Sequence, residues 1–135
     1  MDVKEYLRGV RKLSRDIDAM FRARDELRYG LIGSGIPIKQ ISVQESAPTD
    51  RMAGATAAVV DLEKQIQKHI AELARERSKA LDMLQALPKP EHRAIMVDYY
   101  INCYTWERVA DLNGYSIQHV YELHGAALRE LRKSE

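Results

Sequence analysis

Cysteine, phenylalanine and tryptophan are nearly absent from this chain, and neither charge sign dominates it. One cysteine, Cys103, among 135 residues excludes an internal disulfide and an all-cysteine zinc site. Lysine plus arginine is 21 against 20 acidic residues, a net charge of +1. A chain-wide basic field for nucleic acid is thereby excluded, and any such binding needs a local patch. No apolar run approaches the ~18 residues of a membrane span, so no membrane partner is expected. The N-terminal MDVKEYLRGVRKL has no contiguous apolar signal core, which points to the cytoplasm. Marks of catalysis are missing too. Gly33-Ser34-Gly35 is not followed by the Gly-Lys-Ser/Thr of a phosphate loop, and no serine or cysteine sits in a nucleophile setting. His119 and His124 stand five apart rather than the three or four that share a helical face, while His69 and His92 lie in other segments. No metal, no cofactor and no enzyme activity are expected.

What the chain does have is helical periodicity. Residues 2–29 carry apolar side chains at Val3, Tyr6/Leu7, Val10, Leu13, Ile17, Met20/Phe21 and Leu27, with steps near three and four. Arg8, Arg11, Lys12, Arg15, Asp16 and Asp18 take the opposite face, which reads as solvated surface rather than a nucleic-acid track. At ~1.5 Å per residue this helix is about 40 Å long and needs a partner of similar length. The glycine- and proline-rich stretch 30–50 breaks the pattern, with a short extended piece expected at Ile36, Ile38, Ile41 and Val43. Thr49-Asp50 offers N-cap oxygens for a second helix over 51–86. Its stripe is Met52, Ala55, Val59, Leu62, Ile66, Ile70, Leu73, Leu81 and Leu84. The expected fold is all-α, with residues 1–87 forming a long antiparallel helical hairpin of coiled-coil character. Two helices bury one face each, so a third surface or a second subunit is needed, and a homodimer through the long helices is expected.

Leu87-Pro88-Lys89-Pro90 ends the second helix and opens a C-terminal domain, 88–135, with helices expected at 90–102, 105–112 and 116–132. Thr105 can cap a short helix whose inner face is Trp106, Val109 and Ala110. Asn113-Gly114-Tyr115 makes a tight turn, and Ser116 caps a helix facing inward through Val120, Leu123, Ala127, Leu128 and Leu131, and in part through Ile117. This is a helix-turn-helix layout. Tyr99, Tyr100 and Tyr104 are expected to pack around Trp106, His124 to lie beside that core, Cys103 to be half-buried and reduced, and Tyr121 to lie outside.

Residues 93–133 resemble region 4 of bacterial sigma-70-type factors: an apolar helix, T-W-E-R-V-A from Thr105, a short turn, S-x-x-x-V from Ser116, and A-L-R-E-L-R over 127–132. The run from Tyr104 through Ala110, Gly114-Tyr115-Ser116 and the stretch 119–128 is similar to small phage proteins, among them late-gene transcriptional regulators of the ArpU/RinA type. The similarity is specific over about 45 residues and covers mostly organisation over residues 1–87. It implies a DNA-binding regulator of phage or prophage transcription. Gln118, His119, Tyr121 and Glu122 would face bases, and Arg108, Ser116, Arg129, Arg132 and Lys133 the backbone. The pattern departs from sigma factors in holding Ile117, His119 and Tyr121 where those carry arginines. From 88 to 135 six basic residues (Lys89, Arg93, Arg108, Arg129, Arg132, Lys133) meet seven acidic ones (Glu91, Asp98, Glu107, Asp111, Glu122, Glu130, Glu135). Phosphate neutralisation supplies most non-specific affinity, so this segment needs a dimer partner or RNA polymerase as co-anchor. Two other functions fit the pattern: an interaction module for polymerase or another factor, and a DNA-packaging recognition subunit.

Overall fold

The computed structural model describes residues 2–32 and 47–134. They form five α-helices and one π-helical turn: α1 (Val3–Ile32), α2 (Ala47–Gln85), α3 (Pro90–Met96), the π-turn (Val97–Ile101), α4 (Trp106–Asn113) and α5 (Ile117–Lys133). No strand occurs among the described residues. The described residues are all-α, as their periodicity requires. The extended piece expected at Ile36, Ile38, Ile41 and Val43 lies outside the described residues.

Contacts divide the chain into two compact units, one of Met1–Arg15 with Glu72–Glu135 and one of Asp16–Ala71. This line differs from the compositional one at Pro88, because the first turns of α1 share a core with the C-terminal helices. In the first unit Val3, Leu7 and Val10 join Leu84, Leu87, Ile95, Met96, Tyr100, Val109, Val120 and Leu131 in one buried cluster. The first α1 turns lie beside the end of α2: Val3 shares a cavity with Met83, Ala86 and Leu87, and Arg77 Nη2 donates to Ser14 Oγ at 2.8 Å. Tyr6 donates to Glu76 Oε2 at 3.0 Å. Burial, then that bond and its carboxylate charge, pushes the phenol up to about 12. In the second unit Ile17, Val59 and Ile66 are buried, and Arg28 pairs with Glu63.

Buried positions recur every seven residues in α2 (Val59, Ile66, Leu73, Ala80) and alternate by four and three in α1 (Val3, Leu7, Val10, Ser14, Ile17). That is the 3.5-residue spacing of a coiled-coil seam. It corrects three stripe positions. Ser14, not Leu13, takes the buried place, its hydroxyl satisfied by Arg77. Ala80 is fully buried where Leu81 was expected, and Leu27 faces out. The strict seven-residue frame selects the side chain by register, not by size.

Helix ends also differ from expectation. α1 runs through Gly30 to Ile32, since one interior glycine costs only ~1 kcal/mol. α2 starts at Ala47, so Thr49 and Asp50 lie inside it rather than before it; Pro48 is tolerated in a first turn. The expected helix over 90–102 is α only to Met96, and the Asn102 N–H then reaches back to Val97 O, five residues away, at 2.9 Å. The α2 terminus closes with Leu87 N–H to Leu84 O, and Arg93 Nη1 donates to Leu87 O at 2.6 Å, satisfying a carbonyl the helix leaves open.

Candidate nucleic-acid interface

Thr105 and Ser116 both behave as N-caps. Thr105 Oγ1 accepts from Arg108 N–H at 3.2 Å, and Ser116 Oγ accepts from His119 N–H at 3.1 Å. Between them α4 ends on Gly114 at φ 70°, a left-handed stop, and Tyr115 N–H returns to Ala110 O at 3.0 Å. A three-residue turn thus joins two helices, with Val109, Ala110 and Val120 buried where they meet. Asn113 Nδ2 ties the same corner down by donating to Asp98 Oδ2 at 3.0 Å and to Val109 O at 2.8 Å.

The outer side of α5 is set by its inner side. Val120, Ala127, Leu128 and Leu131 are buried, so at 100° per residue Gln118, Glu122, Gly125, Arg129 and Lys133 line the opposite face. Gln118, His119, Tyr121 and Glu122 are all exposed. His119 Nδ1 lies 3.7 Å from Glu122 Oε2, and the Tyr115 ring meets the imidazole edge-on at 4.9 Å. Arg129 folds back over Gly125, its Nη1 3.6 Å from where a Cβ would sit. The other named cations are not gathered at this end. Arg132 and Lys133 stand ~21 Å down the axis from Gln118. Lys133 pairs with Glu130 at 3.1 Å, and the Arg108 guanidinium lies 4.8 Å over the Tyr104 ring.

Beneath this face is an aromatic stack that sequence reasoning placed only in part. Tyr99 and Trp106 are parallel with centroids 3.6 Å apart. Tyr121 and His124 meet the indole edge-on at 5.8 and 4.7 Å. Tyr121 lies outside as expected, 49% exposed, with one edge braced by Trp106. His124 packs as expected and hydrogen-bonds the Tyr100 hydroxyl at 2.8 Å. Burial first, then the charges of Lys4 and Arg8, holds the imidazole down at about 4, so it is neutral. Burial raises Tyr100 to about 12. Ile117, at the edge of the inner face, is 37% exposed.

The α1 contribution was missed. Arg11, expected in solvent, places its guanidinium 4.1 Å above the Tyr99 ring. The available signal was the recurrence of cations at 4, 8, 11 and 15, a single helical stripe. Among the described residues no group of three His, Cys, Asp or Glu side chains is placed to hold a metal ion, and no helix is long and apolar enough to cross a membrane. No protein-family model matches the chain, and comparisons with curated proteins and with solved structures return no match.

Proposed function

We propose that this protein binds duplex DNA and regulates phage or prophage transcription through a sigma-like helix-turn-helix, with α5 as the recognition helix. One observation carries the reading. Gln118, His119, Tyr121 and Glu122 stand exposed together on the leading half of a helix that Val120 locks against a short preceding helix. A helix of this kind enters a major groove N-terminus first. Gln118 would pair with adenine N6 and N7, and Glu122, held beside His119, would accept from a cytosine amine. Ser116, Arg108 and Arg129 would fix the register on the backbone, with Arg132 and Lys133 engaging phosphates further along. A homodimer through the long helices would present two such helices, and RNA polymerase would serve as co-anchor. Binding of the purified chain to duplex fragments from its own operon, by gel shift at low salt, tests this. Gln118→Ala with His119→Ala should erase discrimination between sites while leaving the fold intact. Absence of any shift, with and without polymerase, refutes the reading.

A second reading has its own observation. Leu112 is 55% exposed and Ile117 37%, both flanking the turn, which suits a protein partner such as a polymerase subunit. Recovery of polymerase subunits by a chain that binds no DNA would favour it. The DNA-packaging alternative predicts a ring-sized oligomer by light scattering.

A further inference from the structure

We propose that the first four turns of α1 form a second DNA contact, in which Lys4, Arg8, Lys12 and Arg15 grip one phosphate strand while α5 occupies the adjoining groove. The inference rests on the DNA-binding reading above and adds to it a site on a different helix. It begins from a deficit. Residues 88–135 carry a net charge of −1, which leaves a recognition helix without the cations that give duplex affinity. Residues 1–15 hold five basic side chains (Lys4, Arg8, Arg11, Lys12, Arg15) against Asp2 and Glu5, a net +3, and belong to the same compact unit.

Geometry places Lys4, Arg8 and Arg11 beside α5, and Lys12 and Arg15 continue their row along α1. Arg11 stacks on Tyr99, Tyr99 on Trp106, and Trp106 meets Tyr121 edge-on. The chain from guanidinium to the exposed Tyr121 ring is no more than about 14 Å long, comparable with the ~12 Å width of a major groove. Lys4 and Arg8 lie close enough to His124 of α5 for their charges to act on it. At 100° per residue positions 4, 8, 11, 12 and 15 share one face of α1, and the buried positions 3, 7, 10 and 14 fall on another. From 4 to 15 the row is ~16 Å long. That is about five base pairs of duplex at 3.4 Å per step.

The row is available. Lys12 and Arg15 are exposed, and among the described residues neither makes an ion pair or a hydrogen bond. Among the described residues Arg8 has only the exposed pair with Glu5 at 3.3 Å, a contact of little worth that a phosphate can displace. Arg11 is the exception. It is half-buried on the aromatic stack and acts as a positioning residue that holds the basic row beside the recognition helix.

The test is fluorescence anisotropy of a labelled, non-specific duplex titrated with the full chain across a salt series. For Lys12→Gln with Arg15→Gln, the loss of affinity between 50 and 200 mM salt should be about tenfold smaller than for wild type, as expected for two phosphate contacts removed. Arg75→Gln with Lys79→Gln, the same charge change on exposed α2 positions, should leave the salt dependence as it is. An equal effect from both pairs means net charge alone matters and overturns the inference. So does an unchanged slope for the Lys12/Arg15 pair when Arg129→Gln with Arg132→Gln weakens binding; in that case the DNA-binding reading stands and only the α1 contact falls. A wild type that binds no duplex at low salt overturns both.

Discussion

Cys103 sits at φ 61°, a left-handed conformation that costs any residue bearing a Cβ roughly 1–2 kcal/mol. Its thiol gains little in return, reaching Ile101 O at 3.7 Å and Tyr100 O at 4.0 Å. The strain comes from the π-turn, whose extra residue must be reversed before Thr105 can start α4. Cys103→Gly should therefore raise stability by about 1 kcal/mol, and Cys103→Val should lower it by at least as much. Urea midpoints at constant m-value measure both. His124 gives a second residue-scale expectation. Its folded value of about 4 lies below the ordinary 6.5. Above pH 6.5 both states are neutral and nothing changes. Between 6.5 and 4 only the unfolded chain takes up the proton, so stability falls with pH, by about 2 kcal/mol after allowing for partial exposure. His92, buried and lowered by desolvation and by Lys89, acts in the same direction. Unfolding at about pH 7 and pH 4.5 should show a smaller acid loss for His124→Gln than for wild type. Equal losses would mean His124 is not held neutral.

At the scale of the element, the turn between α4 and α5 has separable parts. A Cβ at Gly114 would meet nothing within 4 Å, so Gly114→Ala pays only for its φ of 70°, about 1 kcal/mol. Ser116→Ala removes the acceptor for His119 N–H and costs about 1 kcal/mol more. The sites are two residues apart on one turn, and a thermal-melt double-mutant cycle should show coupling rather than simple addition. These parts were legible in the sequence because each is chemically forced: glycine where φ must be positive, a hydroxyl where N–H groups lack acceptors, Val120 where two helices touch. Periodicity likewise identified both long helices. It misplaced Leu13 and Leu81 because it weighs apolarity, and the seam at Ser14 and Ala80 is chosen by register and by what the facing helix offers. The π-turn has no counterpart in a 3.6-residue pattern. The Arg11–Tyr99–Trp106 stack joins residues about 90 apart in the chain, and no local pattern contains such a contact.

For the whole molecule, the proposed DNA binding depends on valence. If α5 reads DNA as proposed, a single such helix with its flanking cations would make few phosphate contacts, and specific affinities in the nanomolar range are usually reached by pairing two half-sites about one helical turn, ~34 Å, apart. The second unit carries apolar side chains suited to pairing: Leu27 is 41% exposed and Tyr29 63% on α1, and Val60 is 42% exposed on α2. Each sits in a compact unit whose own core, Ile17, Val59 and Ile66, is already closed without it. Leaving such residues in water gains the monomer nothing, whereas burying a leucine or valine contributes roughly 1.5–3 kcal/mol. Sedimentation should therefore show a concentration-dependent dimer, and Leu27→Glu with Val60→Glu should yield a folded monomer with unchanged helical content. On DNA that monomer should lose affinity for a two-half-site duplex by orders of magnitude and bind a single half-site as wild type does, because linking two sites raises avidity without any new contact. A wild type that stays monomeric at high concentration, or a Leu27/Val60 variant that still dimerises, would move the pairing surface away from these helices.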